Sequence, residues 1–349
     1  VIVVAVTAIY VAVPQPAPSR TIRIGVVAPL TGGAATTGKD MWQAAVLAAE
    51  EINAKGGVYV EEYKAKLKIE LFKGDTETSP EGGVKAVTKL IVEDKVDVLI
   101  GGFSSAITYA DEKVAVEHGV PFVVSGASAT VITRRTDIDT SYIFHHCPTT
   151  DDYAEETLIF VDKVIRPAIN EKFGFPEDRK LRLAVIYQDS KYGKGVYEGI
   201  KKAIEKHNLK IEIVYEATFK MGERDFRAQL TGAKAAKPDV LYPACFLDEQ
   251  IPLVVQGRRD IGLNVIYLSV ECNDDPDYYA GVGRWGEYSI QESRFSPYTF
   301  PKGLVGERAK MFKEAFKEKW GVEPSMMGAS TYDAVYIVCL LYTSPSPRD

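Results

Sequence analysis

The sequence predicts an α/β protein of two doubly wound lobes, each with a parallel sheet that carries helices on both faces. Short apolar strands alternate with helical segments along most of the chain, which is the pattern of parallel sheets with helical crossovers. The alternation runs through two rounds, and the second begins near Asp151. A chain of 349 residues is also longer than one hydrophobic core usually serves. We therefore expect two lobes joined by a hinge.

The first lobe is predicted from an apolar strand, Ile22–Val27, that runs into a Pro-Leu-Thr-Gly loop and then into a long helix. The helix is expected to end at Gly56 and Gly57, because glycine takes the left-handed conformation that ends helices. A second helix is expected to start at Ser79, which is followed by a proline. Further strands are expected at Lys66–Lys73, Val96–Ile100 and Pro121–Val124, and a further helix at Thr108–Glu117.

The second lobe repeats this organisation. A helix over Asp151–Asn170 opens it, and strands then alternate with helices. A stretch rich in glycine, proline and aspartate, Asn273–Arg284, follows the last strand, and an amphipathic helix comes after it at Gly306–Trp320. The strands are expected at Leu183–Tyr187, Ile211–Tyr215, Val240–Pro243 and Val265–Ser269, and the helices at Tyr192–His207, Asp225–Lys237 and Glu249–Ile261.

The two ends of the chain differ from the rest. Val1–Val13 is an uncharged apolar run, which we expect to be the remnant of a secretion signal or of a membrane-anchoring helix, and residues 14–20 form a proline-rich tether. We therefore expect the protein to work outside the cytoplasmic membrane. At the other end, Cys339–Asp349 resembles the translation of a sequencing adapter, and the alternative is a disordered Ser/Pro tail. On the adapter interpretation the folded domain is truncated at its C-terminus.

Charge and cysteine content narrow the possible functions. The net charge of −6 argues against nucleic acid as a partner. Apart from Cys339, the cysteines are Cys147, Cys245 and Cys272, and their spacing is not that of a metal site. Cys245 and Cys272 both follow strands of the second lobe, so they either form a disulfide or remain buried thiols.

The sequence contains no recognisable catalytic or cofactor motif. Its four histidines lack metal-ligand spacing, and there is no P-loop and no Gly-x-Ser-x-Gly turn. The glycines of the first loop lack the Gly-x-Gly-x-x-Gly spacing of a dinucleotide site. His145, His146 and Cys147 could suggest a nucleophile with its base, but neighbouring residues on an extended segment point to opposite sides. We predict a binding protein with no catalytic residues, metal or cofactor.

Residues Thr21–Gly57 carry an I-G-x-x-x-P-L-T-G strand and loop, followed by a helix that ends in I-N-x-x-G-G. With these motifs the segment resembles the leucine/isoleucine/valine-type extracytoplasmic solute-binding proteins, which are the capture subunits of ABC importers. The resemblance implies the type I periplasmic-binding-protein (Venus-flytrap) fold. In this fold a monomer closes two lobes on one amino acid and docks on the permease subunits in the membrane. Lobe 1 is then expected at 21–146, lobe 2 at 147–295 and a return to lobe 1 at 296–338.

Ligands of open parallel sheets bind beyond the carboxyl ends of the strands, so the loops at those ends supply the candidate site. One loop, G-G-F-S-S, resembles the family's G-x-x-S-S loop, which implies that Ser104 and Ser105 bind the ligand carboxylate at a helix start. The next, S-G-A-S-A-T, is similar to the family's S-G-A-[ST] loop. This similarity implies that the carbonyl of Ala127 accepts from the ligand ammonium and that the hydroxyl of Ser128 donates to the carboxylate.

The second lobe supplies the other candidate residues. The segment D-S-K-Y-G matches the family's D-x-x-Y-G turn, which implies that Tyr192 closes over the ligand. By the same resemblance Phe246 forms an aromatic wall, and Glu271, which follows the last predicted strand, pairs with the α-ammonium. One position departs from the family, because Thr37 stands where amino-acid binders often carry an aromatic residue. The pocket for the ligand side chain is therefore expected to be wider or more polar.

The leading prediction is capture of a branched-chain or other apolar amino acid. One alternative is the ligand-binding ectodomain of a sensor or receptor with the same fold, which would continue into a transmembrane helix and a signalling module. Another is an importer subunit for urea, short amides or carboxylates. Glu271 argues against a purely anionic ligand.

Overall fold

The computed structural model of the protein describes residues 20–269 and 274–343. Within these ranges the chain forms two α/β lobes, each built on a five-stranded parallel sheet, which confirms the predicted fold class. The apolar run Val1–Val13, residues 14–19 of the tether, Glu271, Cys272 and residues 344–349 lie outside the described residues.

Lobe 1 is organised around its first strand. Five of its strands form a parallel sheet, and two short ones pair as a separate hairpin. The strands are β1 (Ile22–Ala28), β2 (Val58–Val60), β3 (Ala65–Leu67), β4 (Ile69–Asp75), β5 (Val98–Gly101), β6 (Phe122–Val124) and β7 (Ile143–His145). The sheet order is β4-β1-β5-β6-β7, so the carboxyl ends of β1, β5 and β6 are neighbours at one edge.

The predicted strand Lys66–Lys73 is wrong in one respect, because the structure divides it between the hairpin and the sheet. The side chain of Asn53 accepts a hydrogen bond from the Ile69 N–H at 2.8 Å and donates one to the Ile69 carbonyl at 2.9 Å. These bonds occupy both backbone groups of the residue at which β4 begins, so β3 and β4 pair with different partners. The alternating pattern continues across the break, which explains the prediction of a single strand.

Three helices cover the sheet of lobe 1: α1 (Ala35–Ala54), α2 (Pro80–Val92) and α3 (Ser105–Glu117). Ser79 caps α2, because its hydroxyl accepts from the Gly82 N–H at 3.0 Å, and this confirms the predicted helix start. Helix α3 begins at Ser105 rather than at Thr108, with Ser104 in the N-cap position. The first turn of α3 therefore starts directly after the end of β5.

The sheet of lobe 2 repeats the strand order of lobe 1, with its first strand again between its second and third. Its order is β12-β11-β10-β8-β9, with all pairs parallel. The strands are β8 (Leu181–Gln188), β9 (Ile211–Phe219), β10 (Val240–Ala244), β11 (Ile266–Ser269) and β12 (Ser289–Gln291). The helices are α4 (Thr150–Phe160), α5 (Arg166–Phe173), α6 (Lys191–Lys206), α7 (Arg227–Ala235), α8 (Leu247–Val255) and α9 (Pro276–Val282).

The predicted helix Asp151–Asn170 is interrupted by a π-helical turn at Val161–Ile165, between α4 and α5. Pro167 has no N–H group, so the regular bond to the carbonyl four residues earlier cannot form there, and a widened turn accommodates the change. The stretch Asn273–Arg284 contains α9, which Asp275 caps by accepting from the Asp277 N–H at 2.8 Å.

Two helices after lobe 2 return to the first lobe. They are α10 (Leu304–Trp320) and α11 (Met326–Thr343). Phe312 and Phe316 of α10 pack against Ala44 and Leu47 of α1, and α11 packs along α1 and over the sheet. Across residues 20–269 and 274–343, no helix combines the length and apolar character needed to span a membrane.

Candidate functional site

A small cleft of about 70 Å³ lies between the lobes at the carboxyl ends of their strands. Both lobes contribute walls, and the residues come from the loops after β1, β4 and β5 in lobe 1 and after β9 and β10 in lobe 2. The lining residues are Gly33, Ala34, Thr36, Thr37, Thr78, Phe103, Met221, Gly222, Arg224, Phe246, Leu247, Asp248 and Glu249. Strand-end loops of both lobes thus meet where a parallel sheet binds its ligands.

The loop after β5 combines tight glycine turns with two buried serines. Gly101 has a φ of +106°, and a Cβ there would lie 2.3 Å from the Val27 carbonyl oxygen, so only glycine fits. Ser104 is 3% exposed, and its hydroxyl has no hydrogen-bond partner among the described residues. The hydroxyl of Ser105, by contrast, accepts from the Ala129 N–H at 3.1 Å. The two predicted serines therefore differ in their local roles.

The loop after β6 is fixed by the segment that crosses to lobe 2. The carbonyl of Ala127 accepts from His145 Nε2 at 2.7 Å, and the Ser128 carbonyl accepts from the Thr150 N–H at 2.7 Å. Both Ala127 and Ser128 are buried. Burial lowers the pKa of His145, which favours a neutral ring that donates from Nε2. The Ala127 carbonyl, predicted to accept from the ligand ammonium, thus already accepts from His145 and also from the Cys147 thiol at 3.6 Å.

An aromatic wall crosses the interface between the lobes. The ring of Phe103, in the loop after β5, lies 4.9 Å from that of Phe246, which follows β10. The ring of Tyr192, in the first turn of α6, stacks on Phe246 with a centroid distance of 5.4 Å. The structure thus brings Tyr192 and Phe246 together, and it adds Phe103, which the sequence analysis did not single out. The signal was present in the same G-G-F-S-S loop, next to the serines.

The position of Phe246 is set by a buried carboxylate. Glu249 is 2% exposed and accepts hydrogen bonds from the Phe246 N–H at 3.0 Å and from the Gly222 N–H at 2.7 Å. The Gln188 side chain donates to both of its oxygens, at 2.9 and 3.0 Å. Burial raises the pKa of Glu249, and these hydrogen bonds oppose that shift. The cap residue is Phe246 rather than a serine or threonine, so the sequence carries only the acidic half of the usual helix-start signature, and Glu249 was not singled out from it.

Arg294 is another residue that the sequence analysis missed. It lies between β12 and α10, where the chain returns to lobe 1. Its Nη2 donates to the Ser125 carbonyl at 3.0 Å, and its Nη1 donates to the Tyr153 hydroxyl. No local motif marks this arginine, and its partners are far away in the sequence.

Of two further predicted positions, Thr37 lies at the cleft and Glu271 lies outside the described residues. Thr37 is 7% exposed and lines the cleft, so the departure from the family's aromatic residue falls at the interface between the lobes. Glu271 lies outside the described residues, as does Cys272, the suggested disulfide partner of Cys245.

The chain is similar in sequence to known solute-binding proteins. The profile of a family described as periplasmic binding protein matches residues 21–339. An amino acid binding protein of Pseudomonas aeruginosa is 30% identical over 328 residues, which cover 93% of this chain and 79% of that protein. The Leu/Ile/Val-binding protein BraC3 of Rhizobium johnstonii is 29% identical over 259 residues, which cover 74% of this chain and 64% of that protein.

Among solved structures, the branched-chain amino acid transporter substrate binding protein LivJ of Streptococcus pneumoniae, in complex with isoleucine, is similar with a TM-score of 0.76. It is 25% identical, and the match covers 92% of this chain and 83% of that one. The likeness therefore extends over both lobes.

Proposed function

Since this chain belongs to the periplasmic binding protein family, we propose that it is the extracytoplasmic solute-binding subunit of an ABC importer. In this proposal the two lobes close on an amino acid with an apolar side chain, and the closed form delivers it to the permease in the membrane. The names of its relatives, which bind amino acids or leucine, isoleucine and valine, support this ligand class. Solute-binding relatives also support binding rather than catalysis as its activity.

The observation that carries the proposal is the buried hydroxyl of Ser104 at the start of α3. Buried polar groups nearly always have a partner, so a hydroxyl with none among the described residues is available to bind a ligand. The first N–H groups of a helix have no intrahelical acceptor, and the helix dipole favours an anion there. A ligand carboxylate satisfies both the hydroxyl and these N–H groups.

The aromatic wall supports an apolar ligand side chain. Phe103 and Phe246 both line the cleft, and they come from different lobes. A side chain placed against these rings is removed from water only when the lobes approach each other. Thr37, in the place of an aromatic residue, leaves room beside this wall, so we expect the accepted side chains to extend beyond strictly aliphatic ones.

The remaining predicted residues take complementary roles in the proposal. Ser105 holds the loop that contains Ala127 and Ser128, through its bond to Ala129. The Ala127 carbonyl already accepts a hydrogen bond from His145. Glu271 is therefore proposed as the main partner of the ligand ammonium. Capture at micromolar concentration needs about 8 kcal/mol, which several charge-assisted hydrogen bonds and a buried side chain supply.

Closure follows from the division of contacts between the lobes. A ligand that touches loops of both lobes gains all of its contacts only in the closed state, so it shifts the population toward that state. A permease can then recognise the loaded form by its shape. A receptor ectodomain with the same fold would use the same closure for signalling.

The test is a thermal-shift panel of the twenty amino acids, urea, short amides and aliphatic acids, with isothermal titration calorimetry of every compound that responds. A ligand at a hundred times its Kd stabilises the protein by about 2.7 kcal/mol, which gives a clear shift. We expect responses from α-amino acids, with the largest from apolar ones. Ser104→Ala should weaken them, whereas Ser141→Ala, at an exposed serine, should not. Responses from amides or simple acids alone would contradict the proposed ligand class.

A further inference from the structure

Arg294 lies in the segment that leads from lobe 2 back to lobe 1, residues 292–303, which we call the return segment. Its backbone follows β12 of lobe 2 and precedes α10, which packs on lobe 1. A side chain in such a segment can contact both lobes at once. Arg294 does so.

Among the described residues, its guanidinium donates hydrogen bonds to oxygen atoms in three different parts of the fold. Towards lobe 1, Nε donates to the Ser330 hydroxyl of α11 at 2.7 Å, and Nη2 donates to the Ser125 carbonyl at 3.0 Å. Towards lobe 2, Nη1 donates to the hydroxyl of Tyr153, on α4. Tyr153 is 4% exposed, and α4 packs on α6 within lobe 2. One rigid group therefore joins the two lobes.

The geometry of the guanidinium makes this connection depend on the lobe arrangement. The donors of arginine form a planar fork with fixed directions, so they reach three acceptors only when these acceptors have one relative position. Ser125 and Ser330 move with lobe 1, whereas Tyr153 moves with lobe 2. Opening the cleft separates these two groups of acceptors, and at least one of the bonds must then break.

We propose that Arg294 is a positioning residue that stabilises the closed arrangement of the lobes and thereby sets the closed fraction of the protein before any ligand binds. Ser125 begins the S-G-A-S-A-T loop, and its carbonyl accepts from Arg294. The Arg294 side chain therefore also fixes the position of this candidate loop. A ligand that binds the closed state has an apparent affinity proportional to the closed fraction. Loss of the Arg294 hydrogen bonds therefore lowers the apparent affinity for every ligand by the same factor. The inference rests on the proposed function only for its effect on affinity.

The experiment compares Tyr153→Phe and Arg294→Lys with the wild-type protein, using one fluorophore on each lobe and single-molecule energy transfer. Tyr153→Phe keeps the buried ring and removes the hydroxyl that accepts from Arg294, while Arg294→Lys keeps the charge and removes the planar fork of donors. Tyr288→Phe, at a tyrosine that is 83% exposed, is the matched control. Thermal melts of all variants confirm that the lobes remain folded.

We expect the closed fraction without ligand to fall in both variants and to remain unchanged in the control. Hydrogen bonds to charged groups have the strength to produce a change of about fivefold to tenfold in the closed-to-open ratio. In calorimetry, three different ligands from the panel should each lose the same factor in affinity.

Two results would overturn the proposal. An unchanged closed fraction in both variants would show that the bonds do not favour closure. A loss of affinity for one ligand class, with the others unaffected, would show that Arg294 contacts the ligand itself. The energy-transfer result needs no ligand, so it remains decisive even when the amino-acid panel fails, and the two proposals are tested separately.

Discussion

Lobe 1 and lobe 2 have sheets with the same relative strand order, yet their strand-end loops bring different groups to the cleft. Lobe 1 lines the cleft with small residues of the loops after β1 and β4 and with the single ring of Phe103, which the buried Ser104 follows in the sequence. Lobe 2 lines it with larger side chains, among them Arg224 and Phe246, and the ring of Tyr192 stacks on Phe246. A shared topology therefore fixes where the loops lie, while the side chains on the loops determine what each lobe contributes.

This difference suggests that the two lobes bind different parts of the ligand. Small residues allow a ligand to approach the backbone N–H groups of α3, so lobe 1 is suited to the charged end of an amino acid. Large rings exclude water, so lobe 2 is suited to covering the ligand once it is in place. In our account the ligand first binds lobe 1, and lobe 2 then closes over it.

The largest expected effect tests whether lobe 2 also supplies charge. Glu271→Ala should weaken amino-acid binding by about 2–5 kcal/mol, since it leaves the ligand ammonium without its carboxylate. Calorimetry with the strongest amino acid of the panel measures the change, and Glu287→Ala, at an exposed glutamate, is the control. A loss of less than about threefold in affinity, which corresponds to under about 0.7 kcal/mol, would remove Glu271 from the site.

A second pair of variants separates the two serines of lobe 1. Ser104→Ala should weaken amino-acid binding by about 1.5–3 kcal/mol, because the hydroxyl donates to a charged carboxylate, and should leave the unliganded stability unchanged. Ser105→Ala removes the acceptor of the Ala129 N–H, so it should lower the free energy of unfolding by about 1–3 kcal/mol. Urea denaturation and calorimetry on both variants check this contrast. Equal losses of stability would contradict it.

A double-mutant cycle tests the contact between the lobes. Phe103→Leu, Phe246→Leu and the double variant should show a coupling of about 0.5–1.5 kcal/mol in the free energy of unfolding, because the two rings touch at 4.9 Å across the interface. Urea denaturation at constant pH gives the four values. Additive effects within about 0.5 kcal/mol would mean that the rings do not support each other in solution.

A further prediction concerns the pH dependence of stability. Burial raises the pKa of Asp40, in lobe 1, to about 7, although Ser325 donates two hydrogen bonds to it, and burial raises the pKa of Asp275, in lobe 2, to about 6. The charge of Asp275 adds to the shift of Asp40. Because the ordinary value is 3.8, the folded state keeps protons between about pH 4 and 7 that the unfolded state has released. The stability contributed by these groups therefore falls as pH rises through this window.

Asp40→Asn should flatten this part of the stability profile, since the neutral side chain no longer titrates. Urea denaturation at several values between pH 4 and 8 measures the slope, with Asp178→Asn, at an exposed aspartate, as the control. A slope identical to that of the wild-type protein would contradict the raised pKa of Asp40.

Much of the fold follows from local patterns in the sequence, and the exceptions have physical causes. Buried apolar runs predicted β1 and β8, because a central parallel strand is apolar on both faces. The short edge strands β7 and β12 have no such run, since each is only three residues long. The break between β3 and β4 depends on Asn53, whose bonds to Ile69 arise only in the folded chain.

The candidate site likewise combines residues in local motifs with residues that only the fold brings together. Ser104, Ser105, Ala127 and Ser128 lie in two loops with local motifs, so the sequence could predict them together. Arg294 is separated from Ser125 by 169 positions and from Tyr153 by 141. No pattern along the chain connects these residues, and only the fold brings them together.

The most direct test of the account is a crystal structure of the protein with the amino acid that binds best in the panel. We expect a ligand carboxylate within hydrogen-bond distance of Ser104 Oγ and the first N–H groups of α3, and an ammonium group beside Glu271. A carboxylate bound to Arg294 instead, with Ser104 still lacking a partner, would contradict the assignment of the charged end to lobe 1.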